Sequence, residues 1–220
     1  MNTVLVFAPH PDDETLGCGG SMLKWRLAGA AIHWVIATTA HSGVGYSEAH
    51  LQTREQEITA VAKLYDIASV HRFDYPAASL DRLPLAELIG KTAAVVNQVK
   101  PDTVLLPFSG DAHSDHRAVF DAGAACTKVF RYPFIRTVLA YETISETDFS
   151  LSEEQFRPNM FVDISKHLAG KVEAMSLYKG ELGTPPFPRS IANIEAWATK
   201  RGAQAGCLAA EAFQLLKEIR

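Results

Sequence analysis

Two short segments concentrate residues that can bind a metal ion or move protons. Ala8-Pro9-His10-Pro11-Asp12-Asp13-Glu14 places one imidazole and three carboxylates within a single turn, and Asp111-Ala112-His113-Ser114-Asp115-His116-Arg117 holds two imidazoles and two carboxylates. Imidazole nitrogen combined with carboxylate oxygen suits zinc, and three protein ligands with an open fourth position mark a catalytic site rather than a structural one. Such an ion makes a water easier to deprotonate and polarises a carbonyl, which is the chemistry of amide hydrolysis. His10 and Asp13 are three apart across a turn, so their side chains can converge on one point. Asp12 and Asp13 are adjacent and point differently, so one can bind an ion while the other faces a substrate. Each segment alone also has a plainer explanation. Asp12, Asp13 and Glu14 can be acids that complement a helix macrodipole, although this leaves His10 unexplained. Asp111, Ser114 or Asp115 can be an N-cap in a polar loop whose histidines are exposed.

The elements around the segments decide whether they meet. Residues 3–8 are a continuous apolar, β-rich run, as in a strand buried on both faces of a parallel sheet. Further strands are expected at 32–38, 70–73, 103–107, 135–141 and 160–164, with a short extended piece at 211–213. Helices are expected at 14–28, 50–65, 84–99, 115–129, 166–178 and 191–201. In the second of these, Leu51, Ile58, Val61, Ala62 and Tyr65 fall on one side. This alternation predicts an α/β fold, a Rossmann-like mostly parallel sheet with helices on both faces. The last seventy residues depart from it and predict a small C-terminal elaboration of a single domain spanning 1–220. Each chemical segment follows a buried-type strand, so a parallel sheet sets both on the edge where open α/β sheets bind ligands. His10 precedes a proline and is biased to extended backbone, while Pro11 suits the first position of a helix.

Composition narrows the function classes. The chain has 220 residues, a formal net charge of −4 and three widely separated cysteines, Cys18, Cys126 and Cys207. The acidic balance argues against a nucleic-acid binder. The cysteines form no CxxC pair, which argues against a disulfide framework and for a reducing compartment. The start shows no basic region of a signal peptide, and no apolar run approaches the roughly 20 residues of a membrane span. A cytoplasmic protein is expected. Gly17-Cys18-Gly19-Gly20 does not match GxGxxG, and Asp12 and Asp13 occupy the turn where a pyrophosphate would need backbone N–H groups and no negative charge. Close packing of helix on sheet accounts better for these glycines.

Taken together, Ala8 to Glu14, Gly17 to Gly20 and His113-Ser114-Asp115-His116 resemble the signature motifs of the LmbE-like (PIG-L) family of zinc-dependent N-acetylglucosamine deacetylases. Arg54-Glu55-Gln56-Glu57, Arg201-Gly202 and Glu211-Ala212-Phe213 extend the resemblance along nearly the whole chain. It implies metal ligands at His10, Asp13 and His116, a general base at Asp12, a transition-state donor at His113 and a substrate-binding arginine at Arg54. Arg54 can also be half of an exposed i,i+3 pair with Glu57. The implied cofactor is one divalent ion, zinc, with ferrous iron accepted by the same donors. Two departures stand out: Ser114 replaces a proline common in the family, and residues 38–43 read Thr-Thr-Ala-His-Ser-Gly in place of Thr-x-Gly-Glu. His41 and His50 are extra histidines near that loop and are expected not to bind the ion. Asp115 is a candidate for orienting a histidine, and Tyr141-Glu142 for lining the pocket.

The expected partner is a small-molecule amino sugar, hydrolysed at its N-acetyl amide to release acetate and a free amine. An amidase of the same mechanism acting on a non-acetyl or non-sugar amide, and an inactive metal- or sugar-binding module, are the alternatives. The group attached to the sugar and the oligomeric state, a homo-oligomer included, are not legible.

Overall fold

The computed structural model describes residues 1–40 and 47–220. His41, and with it half of the 38–43 segment, lies outside the described residues. In chain order the elements are β1 (Thr3–Ala8), α1 (Asp13–Leu27), β2 (Ala31–Thr39), α2 (Glu48–Leu64), β3 (Ser69–Pro76), α3 (Leu85–Val99), β4 (Thr103–Pro107), α4 (Ser114–Ala125), β5 (Thr137–Tyr141), β6 (Met160–Asp163), α5 (Leu168–Leu177), α6 (Ile191–Ala205) and β7 (Ala210–Glu218). A 3₁₀ turn at Leu80–Arg82 precedes α3.

The strands form one sheet in the order β3-β2-β1-β4-β5-β7-β6. β1 to β5 run parallel, and β7 runs antiparallel to both β5 and β6. Along β1, Val4, Val6 and Ala8 join a core with Leu16 and Met22 of α1, Ile58 and Val61 of α2, and Met175 of α5. Leu5 and Phe7 join a second core with Leu88 and Val96 of α3 and Val119 of α4. Burial on both faces is why the strand reads as an unbroken apolar run rather than an alternation. The C-terminal elaboration consists of β6 and β7, which extend the same sheet as an antiparallel edge, with α5 and α6 packed over it. The extended piece expected at 211–213 lies inside the longer β7. Among the described residues no helix is long and apolar enough to cross a membrane.

Two features of this frame place the site. β2 and β3 add to one side of β1 while β4 and β5 add to the other, so the strand order reverses between β1 and β4. At such a reversal the loops leaving neighbouring strand ends diverge and open a crevice. The segments after β1 and β4 are the two chemical segments. In addition, α1 lies very close to the sheet. A Cβ on Gly17 would sit 2.1 Å from Cδ2 of Tyr141, and one on Gly20 would sit 2.8 Å from Ile164. The glycine run therefore seats α1 on the sheet, as its failure to match a phosphate loop suggested. The helix breaks at Cys18 (φ −144°, ψ 18°). The N–H groups of Gly20 and Ser21 at this break donate to the Glu211 carboxylate at 2.9 and 2.7 Å. Lys171 Nζ, also buried, donates to Glu211 at 2.7 Å and to Leu16 O at 2.7 Å.

Candidate metal centre

The turn after β1 is tied down at both ends. Pro9 O accepts from Thr38 N at 3.0 Å and from Thr38 Oγ1 at 2.8 Å. Asp13 Oδ2 accepts from His10 N at 2.8 Å. Between them Asp12 adopts φ 135°, ψ −28°, a backbone region that side chains with a Cβ avoid at a cost of order 1–3 kcal/mol. Its side chain does not cap α1. It turns instead toward Arg189, whose Nη1 donates to Asp12 Oδ2 at 3.1 Å. Glu14 holds the turn from inside: its carboxylate accepts from Asp12 N at 3.1 Å and from the Tyr178 hydroxyl at 2.8 Å. Burial raises the Glu14 pKa to about 7. The macrodipole explanation of the three acids is thus insufficient, because each has a different partner.

The second segment also departs from its plainer explanation. The N-cap of α4 is His113 itself, whose Nδ1 accepts from Asp115 N at 3.1 Å. His116 is not exposed but fully buried.

These turns bring His10, Asp13 and His116 together, with one potential ligand atom from each within 4.8 Å of the others. Asp13 Oδ2 lies 3.3 Å from His10 Nδ1 and 3.3 Å from His116 Nε2. The far side of each imidazole faces another carboxylate. His116 Nδ1 is 2.8 Å from Asp111 Oδ2, and His10 Nε2 is 3.1 Å from Asp115 Oδ2. When each histidine donates on its far side, the lone pairs of His10 Nδ1 and His116 Nε2 point to one place beside Asp13. Outer carboxylates orient metal-binding histidines in this manner. Among the described residues His116 Nε2 is buried and makes no hydrogen bond, its nearest acid being Asp13 Oδ2 at 3.3 Å; an unsatisfied buried nitrogen ordinarily costs about 1–3 kcal/mol. A divalent ion would relieve it, so the donor set fits a metal.

A second cluster, His10, His113 and Asp115, is equally compact. Its groups are already engaged. Asp115 accepts from Ala78 N at 2.7 Å and Leu80 N at 2.9 Å besides facing His10, and His113 Nδ1 accepts a backbone N–H. Asp115 thus has the hydrogen-bond partners of an orienting carboxylate.

The electrostatics follow from this crowding. Burial opposes charge on His10, but Asp115 and Asp13 outweigh it and raise its pKa from 6.5 to about 9. Burial likewise opposes charge on His116, and Asp13 and Asp111 overcome it. Asp13 is held below the usual carboxylate range by His116 and His10 despite its burial. Asp12 is pushed up by burial, by Asp13 and by Glu181, with Arg189 working against the shift. His113 is pushed down by burial and by His10. With Nδ1 accepting from Asp115 N, a neutral His113 carries its proton on Nε2.

A cavity of about 330 Å³ opens over this group, lined among others by Asp12, Thr38, His50, Arg54, His113, Glu146, Glu181 and Arg189. Arg54 is not an exposed helix-surface residue. It is buried, with Nη1 3.2 Å from Glu57 Oε2 and Nη2 paired with Glu181. Tyr141 and Glu142 do not line the cavity: the Tyr141 hydroxyl donates to Phe7 O at 2.6 Å, and Glu142 holds Arg201 through two hydrogen bonds. Asp81 and Arg82 are exposed outside it.

Three groups escaped the sequence analysis as site residues. Asp111 had the signal of a carboxylate five positions before a histidine at a strand end. Glu181 and Arg189, flanking the Pro-rich loop at 184–188, had no local signal; only tertiary contact delivers them.

Residues 5–127 match the family described as PIG-L, GlcNAc-PI de-N-acetylase. Diacetylchitobiose deacetylase of Thermococcus kodakarensis is 26% identical over 87% of this chain and 72% of its own. A protein of Escherichia coli K12 named uncharacterized deacetylase YaiS is 26% identical over 80% of this chain and 90% of its own. Among solved structures, the N,N'-diacetylchitobiose deacetylase of Pyrococcus horikoshii superposes with a TM-score of 0.79 at 19% identity, covering 98% of this chain and 84% of its own. GalB, a 4-carboxy-2-hydroxymuconate hydratase of Pseudomonas putida KT2440, superposes with a TM-score of 0.77 at 20% identity, over 100% of this chain and 98% of its own. A hydratase on the same frame means that the sheet alone does not decide the reaction, and the site must.

Proposed function

Since the chain belongs to the PIG-L family, we propose that it is a metal-dependent N-deacetylase that hydrolyses the N-acetyl amide of a small N-acetylglucosamine-containing molecule. The observation that carries this is the convergence of His10 Nδ1 and His116 Nε2, which makes no hydrogen bond among the described residues, beside Asp13, each imidazole held from behind by a carboxylate. We assign His10, Asp13 and His116 as ligands, with zinc as the ion that best suits two imidazoles and one carboxylate. The reading of 1–220 as one domain is supported by a sheet that takes strands from both ends of the chain.

A divalent ion, when bound, supplies Lewis acidity that polarises the amide carbonyl and eases deprotonation of a water. The chain's own residues do the rest. Asp12 accepts the proton of the attacking water; its burial and its neighbours make it a stronger base than a free carboxylate. Arg189 holds one of its oxygens and so fixes its direction. His113 presents an Nε2 proton to the oxygen on which negative charge develops, a contact whose removal typically costs about 10²–10³ in rate. The proton gathered by Asp12 then goes to the departing amine, and acetate and the free amino sugar leave. Arg54 lines the cavity, which supports its reading as a substrate-holding cation.

The test is acetate release from N-acetylglucosamine conjugates, measured with chelator and after adding zinc back. Chelator-sensitive release establishes the chemistry. A protein that holds one equivalent of metal yet releases no acetate from any conjugate, while cleaving another amide, would replace this reading with that of a non-acetyl amidase.

A further inference from the structure

Resting on the deacetylase reading, we propose that this cavity selects amino-sugar conjugates whose attached group is uncharged, and that Glu181 is the specificity residue that rejects acidic ones.

The wall beyond the metal ligands carries two arginines, which by themselves would form a carboxylate or phosphate site. Guanidinium groups recognise such anions through paired N–H donors. Here the terminal nitrogens of both arginines already face acids of the protein. Glu181 lies between the two: its Oε1 pairs with Nη2 of Arg54 and its Oε2 lies 3.3 Å from Nη2 of Arg189. Each arginine also has a second acid. Arg54 Nη1 is 3.2 Å from Glu57 Oε2, and Arg189 Nη1 is 3.1 Å from Asp12 Oδ2. Two cations therefore face three carboxylates, and Glu146 adds a further acid to the cavity lining.

Glu181 occupies the position that an acidic ligand would take. An incoming anion would have to displace it from both arginines and then sit beside Asp12, a juxtaposition of like charges in a partly dry site. An uncharged sugar or polyol meets no such opposition.

The experiment compares the methyl glycoside of N-acetylglucosamine with its carboxymethyl glycoside, which differs by one carboxylate in the attached group. The zinc-loaded protein should favour the methyl glycoside by about tenfold or more in kcat/KM, since 1.4 kcal/mol corresponds to a factor of ten. Glu181→Gln keeps the shape and removes the charge, and should narrow or invert that ratio chiefly through KM for the acid. A second measurement does not depend on turnover. The metal-free Glu181→Gln protein, titrated with inorganic phosphate, should bind it at least tenfold more tightly than the metal-free parent. Hydrolysis of neither glycoside nor of diacetylchitobiose would remove the deacetylase reading itself. Hydrolysis with no preference for the uncharged glycoside would overturn the specificity proposal and leave that reading standing. A Glu181→Gln protein with an unchanged ratio and unchanged phosphate binding would overturn it as well.

Discussion

Asp111 and His116 meet at 2.8 Å in the buried floor of the site, Oδ2 to Nδ1, with Thr147 Oγ1 donating to the other Asp111 oxygen at 2.5 Å. In a neutral His116 the contact favours the proton on Nδ1 and leaves the lone pair on Nε2 for an ion. Asp111→Ala should therefore weaken zinc binding by roughly 10–100-fold, the usual cost of losing such a supporting carboxylate. Competition against a chromogenic chelator measures this. Unchanged affinity would mean that His116 is oriented by packing alone.

The two neighbouring aspartates should separate cleanly. Asp12→Ala is expected to retain one equivalent of metal and lose about 10²–10⁴ in kcat, the range for loss of a general base. His116→Ala is expected to lose both metal and turnover. Metal analysis alongside kcat decides the matter, and loss of metal in the Asp12 variant would overturn the division of roles.

Metal binding should be linked to pH. In the metal-free protein the His10 pKa is raised to about 9, chiefly by Asp115 and Asp13 acting against burial. A group raised above its unfolded value of 6.5 stabilises the metal-free fold fully below that value and loses the contribution as pH rises through about 9. A ligand imidazole must be neutral, so zinc has to expel this proton. Each displaced imidazole proton makes the apparent affinity rise about tenfold per pH unit below its own pKa, His10 up to about 9 and His116, which Asp13 and Asp111 also raise, adding to the slope. Calorimetry at pH 7 in two buffers of different ionisation enthalpy would detect the release, and its absence would contradict the pairing.

The break in α1 should be structural rather than chemical. Lys171 and Glu211 form a buried pair at 2.7 Å that also satisfies backbone groups on both sides of Cys18. Removing one partner leaves a buried charge unpaired, so Glu211→Ala should lower stability by roughly 3–5 kcal/mol. Urea unfolding of the metal-free protein reads this directly. A loss below about 1 kcal/mol would place Glu211 among ordinary surface pairs.

The sequence alone determined the strand and helix pattern, because continuous apolar runs and helical spacing are local consequences of how each element is buried. It also determined that His10, Asp13 and His116 would share one edge, since both segments follow parallel strands and strand ends in such sheets lie together. What only the tertiary structure decided are the partners of those residues. Asp12 meets Arg189 across 177 positions, and Arg54 meets Glu181 across 127. No period or motif relates positions so far apart. The same holds for Glu14, which reads as a helix-start acid and is in fact a buried acceptor for Tyr178. Spacing along one element reports which face a side chain occupies, whereas the charge that answers it comes from whichever distant loop the packed sheet brings into reach.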